Sequence, residues 1–267
     1  MEVFMKIGFT QIITGGMSLD DCLALCKDAG YEAMELSFTE GGALDINMSD
    51  SDIKNVAKKC ADANVEIASV IGGYRDSGSM LSLNPEDRKK RAKSIIRILE
   101  IGNLLGTDGM LLHPGQLGPA GTYTEVWRAF VDELKKLAPI AESYKVAICV
   151  ENVWNKFLLS PKEMREFIDE VGSQWVCAYL DTANMMAYGY PEHWVRELGS
   201  RIKKVHFKDF KRSSHSFVNL LDGDTDWALL MKEFRTVGYD SYVIHEVGGD
   251  RNAQIDLAER MRKIISM

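Results

Sequence analysis

Short apolar runs alternate with longer amphipathic stretches along nearly the whole chain. Eight of these runs are rich in β-branched and other apolar residues and have the length of strands. We predict strands over residues 3–9, 31–36, 65–71, 109–112, 146–150, 175–180, 202–209 and 242–245. The runs are apolar throughout rather than alternating with polar residues, which is typical of parallel strands covered on both faces.

The stretches between the strands predict eight helices, several with clear start signals. Ser18, with Asp21 three residues later, has the pattern of a capping box. Ser160-Pro-Lys-Glu163 combines an N-cap serine, a proline at the first helical position and a glutamate at the third. We predict helices over residues 18–29, 50–63, 85–105, 122–143, 160–171, 192–198, 226–236 and 252–265.

Strict alternation of strand and helix favours a single-domain (β/α)8 TIM barrel over residues 1–267. Such a barrel typically takes about 250 residues, and the chain has 267. A doubly wound open sheet is the alternative. Neither a GxGxxG nor a Walker A sequence opens any predicted helix, which weakens the nucleotide-binding form of that alternative.

Composition and charge narrow the classes of partner. The formal net charge of −7 argues against non-specific binding to nucleic acid. The chain shows neither a signal-peptide pattern nor an apolar run of the roughly 18 residues that a membrane span needs. The five cysteines are an odd number without framework spacing, which indicates buried thiols in a reducing compartment. We therefore expect a cytoplasmic protein that binds neither nucleic acid nor a membrane.

The last four predicted strands each end at or near a side chain that can ligate a metal. These residues are Glu151, Asp181, His206 and Glu246. In a parallel barrel the carboxyl ends of the strands meet at one rim, where catalytic residues lie. Several buried carboxylates at such a rim require a compensating cation. We predict one divalent metal ion, Mn²⁺ or Zn²⁺, with Co²⁺ and Mg²⁺ as alternatives, because three carboxylates and one imidazole suit all four.

The same positions resemble a known superfamily over essentially the whole chain. The motifs are Cys-Val-Glu151-Asn, Leu-Asp181-Thr-Ala-Asn184, Lys-Val-His206-Phe-Lys-Asp209 and Ile-His-Glu246. They resemble xylose-isomerase-like sugar-phosphate isomerases and epimerases, and most closely the L-ribulose-5-phosphate (L-xylulose-5-phosphate) 3-epimerases and D-tagatose 3-epimerases. The resemblance implies that the four residues ligate the metal and that Glu151 and Glu246 also act as acid and base. D-tagatose-type members commonly carry a histidine where this chain has Asn184, so the phosphate-sugar epimerases match better there.

This resemblance implies proton transfer beside the carbonyl of a ketose or ketose phosphate, with 3-epimerisation through an enediolate favoured. A divalent cation would stabilise the enediolate, and a base and an acid on opposite faces of the sugar would move the proton. A metal-dependent dehydratase of the inosose or dehydroshikimate type is the alternative on the same scaffold. Endonuclease IV-type DNA repair fits less well, because it needs more histidines than the five present. A non-catalytic sugar-binding barrel would leave the paired glutamates without a purpose.

Six further residues are candidate substrate contacts. His113 and Asn184 follow predicted strands, and Lys208 lies at the end of another. Arg75 and Arg212 lie in loops after strands and could bind a phosphate, and Trp154 could cover the apolar face of a sugar. Each has a structural alternative: His113 beside Pro114, Lys208 in a salt bridge to Glu151 or Asp181, Trp154 in packing over the mouth, and the arginines as solvated charges. The expected partner is a small sugar or sugar phosphate, and a homodimer or tetramer is left open.

Overall fold

Eight parallel strands close into one barrel in the computed structural model, which describes residues 5–267. The barrel strands are β1 (Lys6–Thr10), β2 (Ala33–Thr39), β3 (Glu66–Gly73), β4 (Gly109–Leu112), β5 (Ala147–Glu151), β6 (Val176–Asp181), β7 (Ile202–Phe207) and β10 (Tyr242–His245). Neighbours follow chain order around the barrel, and β1 pairs with β10 to close it. The predicted barrel is confirmed and the open sheet excluded. Residues 3 and 4 of the first predicted strand lie outside the described residues.

A helix follows each barrel strand and covers its outer face. The helices are α1 (Leu19–Ala29), α2 (Asp50–Asp62), α3 (Pro85–Leu105), α4 (Tyr123–Tyr144), α5 (Pro161–Val171), α6 (Pro191–Leu198), α7 (Trp227–Thr236) and α8 (Arg251–Ile265). The predicted start signals are present: Ser18 and Ser160 each accept a hydrogen bond from the third residue of the helix that they precede. No helix between residues 5 and 267 combines the length and the apolar character that a membrane crossing requires.

Strand alternation decides which side chains enter the barrel, because residues two apart share a face. Along β7, Lys204 and His206 both point inward, and Lys208 follows two residues later at the mouth. Lys204 is 1% exposed, and its Nζ lies 2.6 Å from Asp108 Oδ1 and 4.9 Å from the centre of the Tyr242 ring. The barrel interior is therefore polar near its floor and again near its mouth.

One element differs from the prediction. The predicted seventh strand, 202–209, ends at Phe207, and the chain then forms a separate antiparallel hairpin of β8 (Asp209–Lys211) and β9 (Ser216–Val218). The Asp209 side chain is 1% exposed and accepts hydrogen bonds from Thr225 Oγ1 at 2.7 Å and Trp227 Nε1 at 3.1 Å. Asp209 thus anchors the following loop rather than extending β7.

Candidate metal centre at the barrel mouth

Four side chains from consecutive barrel positions meet at the carboxyl mouth. Glu151 ends β5, Asp181 ends β6, His206 lies in β7, and Glu246 directly follows β10. Each offers one potential ligand atom, and these four atoms all lie within 4.8 Å of one another. The structure thus brings together the set that was predicted from the strand ends, and the cluster could hold a metal ion.

Two buried polar atoms of the cluster lack hydrogen bonds within residues 5–267, although charged groups lie near them: Asp181 Oδ2 is 3.5 Å from Lys208 Nζ, and His206 Nδ1 is 3.3 Å from Glu246 Oε2. His206 Nδ1 and Asp181 Oδ2 are buried without a hydrogen-bond partner among the described residues. The other Asp181 oxygen, Oδ1, accepts the backbone N–H groups of Ala183 at 2.8 Å and Asn184 at 2.7 Å, which fixes the carboxylate. Buried polar atoms are normally hydrogen-bonded, so an oxygen and a nitrogen without hydrogen bonds in one cluster indicate a ligand position.

Lys208 partly balances the carboxylates. Its Nζ lies 3.0 Å from Glu246 Oε2 and 3.5 Å from Asp181 Oδ2. The same nitrogen lies 4.9 Å from the centre of the Phe217 ring, on the β8–β9 hairpin. The salt bridge to Asp181 that was the structural alternative for Lys208 is present, and the side chain also contacts Glu246, the second glutamate expected to act as acid or base.

Burial and neighbouring charges separate the pKa values of the two glutamates. Burial raises the pKa of Glu151 to about 8, against the opposing effect of His206. Burial also acts to raise the pKa of Glu246, but the nearby positive charges of His206 and Lys208 outweigh it and lower the pKa to about 2. Without a bound cation, Glu151 therefore holds a proton at neutral pH and Glu246 does not.

Two asparagines hold the loops behind the carboxylates. Asn152 bonds the backbone of Asp181 in both directions, donating to its carbonyl at 2.9 Å and accepting from its N–H at 2.7 Å. Asn184 Nδ2 donates to the Asn152 carbonyl at 2.9 Å and lies 3.4 Å from Glu151 Oε1. Asn184 therefore touches the cluster, in agreement with its predicted position.

Beneath His206 lies a second polar layer that the sequence did not reveal. Glu35 was visible as a polar residue near the end of a strand, but its partners were not. His206 Nε2 lies 3.2 Å from Glu35 Oε1. The Glu35 side chain is fully buried and also accepts hydrogen bonds from three hydroxyls, those of Thr10, Ser69 and Tyr179. Burial acts to raise the pKa of Glu35, but His206 and the hydroxyls outweigh it and lower the pKa below its ordinary value.

The predicted aromatic and imidazole contacts lie near the mouth. Trp154 is 42% exposed and donates its indole N–H to the Asn184 carbonyl. Its ring lies 5.1 Å from that of Phe217, so it packs against the hairpin. His113 Nδ1 accepts the N–H of Gly115 at 3.1 Å, and burial lowers the pKa of the ring. His113 is therefore neutral at pH 7 and carries its proton on Nε2.

The two predicted phosphate-binding arginines lie outside the cluster. Arg75 is exposed in the turn after β3. Arg212 is also exposed, donates to the Gly189 carbonyl at 2.8 Å, and stacks its guanidinium 4.5 Å from the centre of the Tyr190 ring. The structure does not bring either guanidinium into the metal cluster, because each leaves the barrel on a loop rather than from a strand end. Their role with phosphate stays a prediction.

The fold and the cluster define a class of protein: a parallel (β/α)8 barrel with a candidate metal centre at its carboxyl mouth. A family model described as "Xylose isomerase-like TIM barrel" matches residues 23–266. The chain therefore belongs to the xylose isomerase-like TIM barrel family, which confirms the resemblance seen in the motifs.

Several solved structures share this fold, and each match covers nearly all of this chain and of the other protein. An L-ribulose 3-epimerase matches with a TM-score of 0.82 and 22% identity, over 98% of this chain and 94% of that one. The IolI protein with a binding zinc atom matches with a TM-score of 0.83 and 18% identity, over 98% of each chain. A D-allulose 3-epimerase from Methylomonas sp. in complex with D-allulose matches with a TM-score of 0.78 and 18% identity, over 98% of this chain and 96% of that one. The comparison with curated proteins gives no match.

Proposed function

We propose that this protein is a metal-dependent epimerase of a ketose or ketose phosphate, acting on the carbon beside the carbonyl, with C3 favoured. The observation that carries the proposal is the meeting of Glu151, Asp181, His206 and Glu246 within 4.8 Å at the barrel mouth. Support comes from neighbours with the same fold that are an L-ribulose 3-epimerase and a D-allulose 3-epimerase. A cytoplasmic location and an oligomeric state remain predictions.

Glu151, Asp181, His206 and Glu246 would hold one divalent cation, for which Mn²⁺ and Zn²⁺ are the leading candidates. A neighbour of this fold contains zinc. When bound, the cation would stabilise negative charge on substrate oxygens and so make a carbon-bound proton more acidic. Three carboxylates and one imidazole are compatible with either metal.

Glu151 and Glu246 would exchange the proton with the substrate. They come from β5 and from the end of β10, which β6 and β7 separate in the sheet. Carboxylates from strands so far apart around the rim approach a central ligand from different sides. Removal of the proton on one side and its return on the other inverts the carbon, and no redox cofactor is required.

Other residues at the mouth would orient the sugar. Lys208 Nζ, 3.0 Å from Glu246 Oε2, can donate to a substrate oxygen while holding the base in place. His113 can donate its Nε2 proton to a hydroxyl, and Asn184 lies beside Glu151 Oε1. Trp154 offers an indole face for the apolar face of the sugar.

Exchange of a substrate C–H proton with solvent deuterium tests the proposal. Protein freed of metal with a chelator is reloaded with Mn²⁺ or Zn²⁺ and screened with ketopentoses and ketohexoses, each with and without phosphate. We expect Glu151→Gln and Glu246→Gln to abolish exchange and Glu259→Gln, an exposed glutamate on α8, to retain it. The acid/base assignment is wrong if both site variants exchange at the wild-type rate.

The same screen separates the alternative reactions. Release of water with a new conjugated enone absorbance would favour the dehydratase, which could use the same four ligands. Sugar binding without any exchange, in metal-loaded protein, would favour a non-catalytic barrel. Comparison of each ketose with its phosphate then decides whether the substrate is phosphorylated.

A further inference from the structure

We infer that Glu35 is a positioning residue, which fixes the His206 ring so that Nδ1 faces the metal position. This inference rests on the proposed function, because it requires the cluster to bind a metal. Glu35 comes from β2 and His206 from β7, and the two strands are separated by β1 and β10 around the barrel. Their side chains nevertheless meet inside it, with His206 Nε2 3.2 Å from Glu35 Oε1.

The hydrogen bonds of Glu35 determine which ring nitrogen carries the proton. Thr10 donates to Oε1 at 2.7 Å, while Ser69 and Tyr179 donate to Oε2 at 2.7 and 2.9 Å. An ionised carboxylate can only accept, so the proton between Glu35 and His206 belongs to His206 Nε2. His206 Nδ1 faces the cluster, 3.3 Å from Glu246 Oε2, so its lone pair points there once the ring gives up the Nδ1 proton on metal binding.

The backbone is irregular at two members of this network. Two strand pairings shift register, β2 with β3 between Met34 and Glu35, and β6 with β7 between Ala178 and Tyr179. Bulges re-aim side chains next to functional sites. The two shifts thus coincide with the carboxylate and with the phenol that lie below His206, whose ring is 4.5 Å from that of Tyr179.

Energetics argue against a purely packing role. Burying an ion costs several kcal/mol even after relaxation, and an apolar residue of similar volume is the usual occupant of a barrel interior. Glu35 is 0% exposed, and among residues 5–267 its cationic partner is His206. A carboxylate that holds the ring of a metal-ligating histidine both orients it and increases its basicity, which accounts for a glutamate at this position.

Two substitutions separate orientation from charge. In Glu35→Gln, the amide oxygen can still accept from Thr10 and His206, and the amide nitrogen can donate to Ser69 and Tyr179, which both accept. In Glu35→Met, no acceptor remains for His206 Nε2–H. Glu192→Met is the matched control, since Glu192 is also buried, at 6% exposure, but lies in the first turn of α6.

Zinc affinity is measured by competition with a chromogenic chelator, and nitrogen-15 NMR of the zinc-loaded protein reports the protonated nitrogen of His206. We expect Glu35→Met to weaken zinc binding by about 10–100-fold and to move or remove the His206 Nε2–H signal. Glu35→Gln should keep that signal but bind zinc measurably more weakly than Glu192→Met, by up to about tenfold, because a neutral amide increases the basicity of the ring less than a carboxylate does. Glu192→Met should match the wild type.

The outcomes distinguish this inference from the proposed function. If the wild type binds neither zinc nor manganese, the proposed function fails and this inference fails with it. If the wild type binds zinc but Glu35→Met binds it within about twofold with an unchanged His206 signal, only the role of Glu35 is refuted. Should Glu35→Met not fold, Glu35→Gln decides: affinity equal to that of Glu192→Met would refute the role.

Discussion

Metal binding should expel about two protons near neutral pH. Burial raises the pKa of Glu151 to about 8, so this carboxyl is roughly nine-tenths protonated at pH 7. Glu35 and Glu246 raise the pKa of His206 well above its ordinary value against the effect of burial, so the ring is a cation in the metal-free site. Both groups must release a proton before they can ligate a metal.

The sign and size of the pH dependence follow from these two protons. Since each bound proton competes with the metal, apparent affinity rises with pH. The slope is about two powers of ten per pH unit between pH 6 and 7. Above pH 8, Glu151 is already largely ionised in the metal-free protein, so the slope falls toward one.

Isothermal titration calorimetry with Zn²⁺ in buffers of different ionisation enthalpy counts the released protons. At pH 7 we expect about two protons for the wild type and about one for Glu151→Gln, which has no carboxyl to deprotonate. Glu259→Gln serves as the control and should match the wild type. Release of less than about half a proton, or an affinity that does not change between pH 6 and 8, would refute the assignment of protons to Glu151 and His206.

Three further predictions concern stability and substrate binding. Burial, with a smaller effect of His206, lowers the pKa of His245 to about 3, so the unfolded chain takes up the proton first as pH falls. Between pH 7 and 5, the free energy of unfolding should therefore fall by about 2 kcal/mol more for the wild type than for His245→Gln. Equal losses would contradict this. Asp209→Ala leaves the buried hydrogen-bond donors of the loop after the hairpin unpaired. It should lower the free energy of unfolding, measured with urea, by about 3 kcal/mol. A loss below about 1 kcal/mol would argue that water replaces the carboxylate. Trp154→Ala should raise KM for the ketose about tenfold. The free energy of unfolding should change by less than about 1 kcal/mol, because the ring is half-exposed. An unchanged KM would show that the indole does not contact the substrate.

The barrel and its four candidate ligands were predictable because their signals are local. Each ligand stands at or next to the end of an apolar run, as Glu151 does at the end of β5. Parallel order then places all strand ends on one rim, and alternation fixes which side chains point inward. The position of Lys208 followed from the same rule, because it lies two residues after His206.

The hairpin and the second polar layer were not predictable, because they depend on closure of the barrel. The β8–β9 hairpin has three residues in each strand, with no apolar alternation long enough to register as a strand. Glu35 meets His206 only because six other strands complete the circle, and register shifts turn the side chains involved. The contacts of Arg212 were likewise not predictable: its guanidinium meets the Gly189 carbonyl and the Tyr190 ring, and a contact with phosphate stays a prediction.

The two layers explain together how a barrel interior tolerates so many carboxylates. Without a metal, Glu151 is protonated, while the ionised carboxylates of Glu35 and Glu246 face the cations of His206 and Lys208. With a divalent cation bound, Glu151 is ionised and His206 is neutral, so the metal supplies the positive charge that those two protons carried. The two expelled protons are therefore replaced by two positive charges on the metal, and the charge of this low-dielectric region stays constant. Glu35 takes part in this balance without touching the metal, since its charge keeps His206 protonated in the empty cluster and basic in the loaded one.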